Sequence, residues 1–123
     1  MRTQVGIVGA GPAGLLLSQL LHLQGVESVV LERRDRDYVE HRVRAGVLEH
    51  GSAETLRVAG VGKRMDADGI PHEGTELRFA RTRHRIDFRE LTGRHITVYG
   101  QQEIVKDLIA ARLAAGGDVR FEV

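Results

Sequence analysis

The chain has 123 residues, of which 41% are hydrophobic and 28% charged, and its formal net charge is +1. This composition predicts one folded domain and argues against a disordered segment or a nucleic-acid-coating protein. The absence of cysteine excludes disulfides, thiolate metal sites and a cysteine nucleophile, and it suits a cytoplasmic protein.

The first third of the chain predicts a β-α-β unit. Residues 4–8 are apolar and β-rich, which is typical of a parallel strand covered on both faces. A helix should begin at Pro12 and end before Gly25, and a second buried strand should cover residues 28–31. Glycines interrupt the apolar run over residues 5–17, so we expect neither a signal peptide nor a membrane span.

The rest of the chain predicts further helices and strands. We predict a polar connection over residues 33–46, helices over 47–59 and 62–67, and a hairpin with one solvent-exposed face over 75–88. A strand over 96–99, a helix over 102–115 and an alternating strand over 118–123 follow. The expected fold class is α/β: a Rossmann-like domain with a parallel sheet and a small antiparallel portion.

A glycine-rich turn follows the first strand. Gly9, Gly11 and Gly14 form the pattern G-x-G-x-x-G, which is weak evidence alone. Here a predicted strand precedes it, a predicted helix follows it, and Glu32 ends the next strand. Gly9 would allow the tight turn, Gly11 would let a pyrophosphate approach, and Gly14 would let helix and strand pack closely. Glu32 could bind a ribose, so the pattern predicts a dinucleotide site, either nicotinamide or flavin.

An arginine-rich segment follows Glu32. Its acidic residues nearly balance the charge, which by itself favours an ordinary solvated loop. The segment nevertheless leaves the carboxyl end of a strand, where α/β sheets bind ligands. If residues 42–44 are extended, Arg42 and Arg44 would point the same way and could hold phosphate oxygens.

Longer strings in the sequence are more specific. GAGPAGLLLSQLL, LERR, DYV, RVRAGVLEHG, HEG, VYGQ and DL together resemble the flavoprotein aromatic hydroxylases over essentially the whole chain. The resemblance implies a Rossmann-like FAD-binding domain, FAD as cofactor, NADPH or NADH as co-substrate, and hydroxylation of a phenolic acid with O2. It also implies a possible homodimer for a full-length protein, with no nucleic acid and no membrane as partners.

The resemblance also assigns residues. It implies that the Gly9–Gly14 turn, including Ala13, meets the FAD pyrophosphate, and that Glu32 holds the adenosine ribose. Ala13 replaces a serine common in the family, which removes a hydroxyl contact. Arg33, Arg34 and Tyr38 match a segment that influences the choice between NADPH and NADH. The remaining implied flavin contacts are Arg42, Val43, Arg44, Ala45, Gly46, Val47 and Gln101.

His72 in HEG matches a histidine that carries protons between a buried phenol and solvent. Imidazole titrates near neutral pH and can do this work, although a lone histidine is more often a surface residue. The other histidines have no metal-ligand spacing, so no metal site is predicted.

The chain is short for an enzyme that must hold a large cofactor and a second substrate. We expect the N-terminal part of an FAD-binding domain, without the substrate-binding and C-terminal parts, that binds FAD weakly and hydroxylates nothing alone. A nicotinamide-binding module and a non-catalytic remnant stay open as alternatives.

Overall fold

The computed structural model describes residues 2–123 as alternating strands and helices. In chain order they are β1 (Val5–Val8), α1 (Pro12–Leu23), β2 (Ser28–Glu32), α2 (Arg36–His41), β3 (Val47–Leu48), α3 (His50–Val58), α4 (Lys63–Asp68), β4 (Ile70–His72), β5 (Gly74–Phe79), β6 (Thr82–Asp87), α5 (Phe88–Thr92), β7 (Ile96–Val98), α6 (Gln101–Ala114) and β8 (Asp118–Phe121).

The central sheet is parallel, with strand order β1-β2-β8. Helices α1 and α6 pack against each other, and the core beside the sheet includes Ile7, Leu15, Val30, Leu108 and Ile109, all at most 7% exposed. Parallel strands place their carboxyl ends at one edge, so the turn after β1 and the end of β2 lie together. The α/β expectation is confirmed.

Strand β1 differs from the prediction that both faces are covered. Val5 and Ile7 face the helices, whereas Gly6 and Val8 point to the other face, where Val8 is 91% exposed. Within residues 2–123, no layer of structure covers that end of the sheet. The apolar run therefore has the composition of a two-sided strand but only one packed side here.

The connection over residues 33–46 contains a helix that the prediction missed. Asp35 caps α2 by accepting a hydrogen bond from the backbone N–H of Tyr38 at 2.7 Å. Arg36 and Glu40 pair at 2.7 Å one turn apart. An aspartate N-cap and an i,i+4 ion pair are helix signals. The high charge of the segment concealed them.

The helix predicted over residues 47–59 begins later. Val47 and Leu48 instead form β3, which pairs antiparallel with Val98 and Thr97 of β7. Helix α3 starts at His50, after Glu49 accepts a hydrogen bond from the N–H of Ser52 at 3.1 Å. Because Val47 and Leu48 pair with β7, they are in a strand and not in the predicted helix. The small sheet has the order β3-β7-β4.

The predicted hairpin is present as β5 and β6, but its packing differs from the prediction. Phe79 is 62% exposed and Leu77 is also exposed, so most of both faces meet solvent. Phe88 starts α5 and does not extend the strand. Strands β1, β2, β7 and β8 and helices α1, α4 and α6 lie close to their predicted positions, whereas β4 and α5 were not predicted. Among the described residues, no helix has the length and apolar character needed to cross a membrane.

Candidate functional site

The glycine turn leaves β1 at the carboxyl edge of the central sheet. Gly9 has a φ of +107°, which favours glycine, and its N–H donates to the carbonyl of Leu31 at 2.7 Å. A Cβ on Gly14 would lie 2.2 Å from the carbonyl oxygen of Gly9. The turn therefore packs tightly against α1, and neither position readily accepts a side chain.

The N-terminus of α1 opens beside this turn. Its N-cap is Gly11, which has no side chain to bond the free N–H groups of the first turn, and Pro12 follows at the first helical position. A Cβ on Gly11 would meet nothing within 4 Å in the described part of the chain. The positive end of the helix dipole and its free N–H groups are thus accessible to an anion.

A cavity of about 310 Å³ lies over this helix end and the end of β2. Five predicted cofactor residues line it, namely Gly11, Glu32, Arg33, Arg42 and Gln101. Ala10, Arg34 and Tyr38 are also in its wall. Residues from the first turn, the arginine-rich segment and the start of α6 therefore meet at one site, although they are far apart in the sequence.

Glu32 is held between two backbone groups. Its Oε2 accepts a hydrogen bond from the N–H of Ala10 at 2.9 Å, and its Oε1 accepts one from the N–H of Arg34 at 2.9 Å. An ionised carboxylate has about four lone-pair sites, so acceptor capacity remains. The carboxylate is fixed at the cavity wall and can still accept hydrogen bonds from hydroxyl groups of a ligand.

The cavity wall also carries positive charge. Arg33, Arg34 and Arg42 line the cavity together with the single carboxylate of Glu32. The guanidinium carbons of Arg34 and Arg42 lie 5.0 and 5.7 Å from the centre of the Tyr38 ring, within cation–π range. Three guanidinium groups against one carboxylate favour an anionic ligand, and the exposed tyrosine ring offers a flat stacking surface.

Two backbone segments pack closely to bring Gln101 to the cavity. A Cβ on Gly46 would lie 2.9 Å from the Cα of Gly100, and the N–H of Tyr99 donates to the carbonyl of Gly46 at 2.8 Å. Gly100 is the N-cap of α6, whose first residue is Gln101. The segment containing Gly46 and the start of α6 are therefore held together by backbone contact.

A polar network fixes Tyr99 from the other side. Its hydroxyl donates to Oδ2 of Asp107 at 2.7 Å, and Arg64 donates to Oδ1 of Asp107 at 2.5 Å and to Glu103 at 2.5 Å. Burial, reinforced by the adjacent Asp107 carboxylate, raises the pKa of the Tyr99 hydroxyl well above its usual range. Hydrogen bonding from Arg64 lowers the pKa of Glu103. The network joins α4 to α6 beneath the Gly46 contact.

Several predicted contacts do not line this cavity. Residues 42–46 belong to neither a helix nor a strand, and Arg42, whose backbone is extended, lines the wall without Arg44. Ala13 instead borders an apolar depression of about 220 Å³ with Leu16, Leu48 and Ile104. Val43, Ala45 and Val47 are exposed, and Gly46 acts through packing.

His72 lies in the small sheet, paired with Ile96 across β4 and β7, and its side chain is exposed. It is not in the wall of the glycine-turn cavity. The structure therefore does not bring His72 to the predicted dinucleotide residues.

Sequence reasoning missed one polar group at the start of α6. The Oε1 atom of Gln102 is buried and, within residues 2–123, has no hydrogen-bond partner. The VYGQQ string contains two consecutive glutamines, and only the first was singled out. The second glutamine, directly after Gln101, is the sequence feature that could have indicated this polar group.

Comparison with known proteins agrees with this geometry. A family model described as an FAD binding domain matches residues 2–123. The chain is 49% identical over 117 residues to p-hydroxybenzoate hydroxylase of Acinetobacter baylyi, covering 94% of this chain and 29% of that protein. It is 36% identical to a 3-(3-hydroxy-phenyl)propionate/3-hydroxycinnamic acid hydroxylase of Mycobacterium avium, covering 68% of this chain and 14% of that protein.

Comparison with solved structures shows the same fold. The crystal structure of pqsL, a probable FAD-dependent monooxygenase from Pseudomonas aeruginosa, superposes with a TM-score of 0.86 at 18% identity. The superposition covers 98% of this chain and 33% of that one. The chain thus spans about a third or less of the length of these proteins.

The residues present fit the cofactor of this family. The accessible helix end at Gly11 suits a pyrophosphate, the free acceptor capacity of Glu32 suits ribose hydroxyls, and the arginine wall suits negative charge. The unpartnered Oε1 of Gln102 is a further acceptor in the same region of α6. The chain belongs to the FAD-binding domain family of the flavoprotein aromatic hydroxylases.

Proposed function

We propose that this chain holds the adenosine diphosphate half of FAD in an aromatic-ring monooxygenase, at the cavity lined by Gly11, Glu32 and Arg42. The observation that carries the proposal is the meeting of an uncapped helix N-terminus, a fixed carboxylate and three arginines around about 310 Å³. An adenosine diphosphate group has complementary chemistry, since it combines a pyrophosphate, hydroxyl groups and a planar base.

The pyrophosphate would bind at the start of α1. The N–H groups after Gly11 are free, and the glycine leaves room for phosphate oxygens to approach the backbone. The ribose would bind to Glu32, whose two existing hydrogen bonds keep its carboxylate in place. Arg33, Arg34 and Arg42 would neutralise the phosphate charge, and we leave the choice between NADPH and NADH open.

The bound flavin would supply the oxygen-activating chemistry. The residues of this chain would bind and orient the cofactor, and Gln101, at the start of α6, would contact it near Gly46. We propose that His72 exchanges protons with solvent, which its exposed position in β4 permits. The residues that bind the phenol would lie outside this chain, which would be the N-terminal part of the cofactor domain.

For the complete protein, we propose hydroxylation of 4-hydroxybenzoate to 3,4-dihydroxybenzoate with NADPH or NADH and O2. Support comes from the 49% identity to the Acinetobacter baylyi hydroxylase, which extends over 94% of this chain. The 36% identical relative is named for a different phenolic acid, so the substrate needs direct measurement. We further propose a homodimer in the cytoplasm.

The test is a fluorescence titration of the purified chain with FAD, with FMN and NADH in parallel. FMN lacks the adenosine monophosphate unit and serves as the matched ligand control. We expect saturable FAD binding, and FMN binding at least tenfold weaker than FAD. Equal affinity for FMN and FAD would contradict the assignment of this cavity to the adenosine end.

The same titration separates the alternatives. Tighter binding of NADH than of FAD would identify a nicotinamide-binding module, and binding of neither would identify a non-catalytic remnant. Turnover of 4-hydroxybenzoate by the 123-residue chain with NADPH would overturn the proposal that the phenol-binding residues lie elsewhere.

A further inference from the structure

A second cavity lies at the opposite edge of the central sheet. Its volume is about 410 Å³, and its wall includes Glu27 and Ser28 before and at the start of β2, and Gly117 and Asp118 before and at the start of β8. In the described chain it shares no lining residue with the glycine-turn cavity. It is therefore a separate site at the amino ends of the strands, and the proposed function makes no use of it.

Arg112 of α6 reaches this cavity from the core side. Arg112 is only 4% exposed, and its Nε atom has no hydrogen-bond partner among residues 2–123. Its Nη1 makes a long 3.4 Å contact to Oε1 of Gln19, whose amide nitrogen donates to the carbonyl of Ala59. A neutral amide does not balance a guanidinium charge, so among residues 2–123 the positive charge of Arg112 is buried without an anionic partner.

The nearby carboxylates do not supply that anion. Asp118 is bound by Arg120, with contacts of 2.9 and 2.8 Å to its two carboxylate oxygens. Glu27 is in the wall, but within the part of the chain that the structure describes it forms no ion pair with Arg112. Burial alone lowers the pKa of Arg112, which agrees with the lack of an acidic partner.

The backbone of Gly117 packs against the guanidinium group of Arg112. A Cβ on Gly117 would lie 2.4 Å from Nη2 of Arg112 and 2.8 Å from its Cζ. A side chain at position 117 would therefore displace the guanidinium. Arg2, an exposed second cation, also lines the cavity. The cavity thus combines a buried unpaired cation, a glycine that makes room for it, and a second positive charge.

We propose that this cavity binds a small oxyanion, a phosphate or a short carboxylate, through the guanidinium of Arg112. Planar guanidinium groups donate two parallel hydrogen bonds to such oxygens, and burial strengthens charge-assisted bonds. The bound anion would neutralise the charge of Arg112 and would link α6 to the amino ends of β2 and β8.

To test this proposal, the ¹⁵N-labelled chain is titrated with inorganic phosphate and, separately, with acetate, while the chemical shifts of its backbone amides are followed. A titration with chloride at the same ionic strength is the reference. We expect saturable shifts of the Gly116, Gly117 and Asp118 amides, and the probe that saturates at lower concentration identifies the anion class. Shifts confined to Gly11 and Ala13 would report the glycine turn and would overturn this proposal, as would linear shifts without saturation.

Two substitutions test whether Arg112 is the residue that binds the anion. Arg112→Met should weaken anion binding at least tenfold, whereas Arg94→Gln, which removes an exposed arginine elsewhere, should leave it unchanged. If Arg112→Met does not fold, Gly117→Ala should weaken binding by displacing the guanidinium while the charge remains. Unchanged binding in the folded variant would overturn the proposal. Because these amides lie far in sequence from the FAD residues, failure here leaves the proposed function untouched.

Discussion

The backbone N–H of Ala10 donates a hydrogen bond to Oε2 of Glu32 at 2.9 Å, so the glycine turn after β1 is tied directly to the end of β2. The same carboxylate accepts from Arg34 through its other oxygen. One side chain therefore fixes two loops and presents its remaining lone pairs to the cavity. This link makes Glu32 both a structural residue and a proposed ligand of the ribose.

Glu32→Ala should weaken FAD binding at least tenfold and also lower stability. Charge-assisted hydrogen bonds contribute about 1.5–3 kcal/mol each, and two backbone donors would lose their partner. Fluorescence titration and thermal unfolding measure the two effects. Glu90→Gln, which alters an exposed carboxylate in α5, is the control and should change neither. Full FAD affinity in a folded Glu32→Ala chain would rule out the ribose assignment.

Gly11 and Gly14 should respond differently to small side chains. Gly11→Ser should leave the free energy of unfolding unchanged or raise it slightly, because serine is a good N-cap and the position is open. It should nevertheless weaken FAD binding at least tenfold by occupying the space for the pyrophosphate.

Gly14→Ala is the matched comparison within the same turn. Its Cβ would approach the carbonyl oxygen of Gly9 to 2.2 Å, so we expect a destabilisation of about 1–3 kcal/mol in chemical denaturation. Equal stability of the two variants would contradict the observed packing, and unchanged FAD binding in Gly11→Ser would remove the pyrophosphate from this helix end.

Gly46→Ala should separate the two segments that meet above α6. The new Cβ would lie 2.9 Å from the Cα of Gly100, and overpacking of this kind costs about 1–3 kcal/mol. We expect lower stability together with weaker FAD binding. Gly6→Ala, where a Cβ meets open space in the described chain, is the control and should be neutral or stabilising. A Gly46→Ala chain with normal stability would show that the close contact is not needed.

Tyr99 should keep its proton in alkaline solution. Its pKa is raised in the folded chain by burial and by Asp107, so the folded state binds this proton more tightly than the unfolded state. The contribution of this proton to the free energy of unfolding is complete below about pH 10, the ordinary tyrosine pKa, and decreases as pH rises above that value.

The Tyr38→Phe variant isolates this titration, because the chain contains two tyrosines and Tyr99 then remains. Tyrosinate absorbance should appear only well above pH 10 and together with loss of stability. A reversible titration at or below pH 10 in the folded variant would contradict the Tyr99–Asp107 hydrogen bond.

Much of the fold could be predicted from local patterns. The start of α1 at Pro12 and its end before Gly25 followed from helix-terminus chemistry, and β2 followed from its apolar run. The misplaced start of α3 depends on a longer-range contact. Val47 looked helical because only the pairing with Val98 of β7 makes it a strand, and no local pattern reports that partner.

Some residues of the candidate site could likewise be predicted from local spacing, and others could not. Gly11 and Glu32 were found because their spacing along the chain reflects the geometry of a β-α-β unit. Arg44 does not line the cavity that Arg42 lines, and its contact with the pyrophosphate stays a prediction. Arg34, which precedes α2, and Tyr38, which lies within it, both line the cavity, and their influence on coenzyme choice stays a prediction. The buried Arg112 sits within an amphipathic helix pattern and gave no local signal.

The most direct measurement is a map of ADP binding by two-dimensional ¹H–¹⁵N spectroscopy on the purified chain. ADP carries the adenosine, ribose and pyrophosphate groups without the flavin. We expect saturable shifts centred on the amides of Ala10, Gly11, Arg34 and Gln101, and displacement of ADP by FAD. No shift at these amides at saturating ADP, or shifts centred elsewhere, would contradict it.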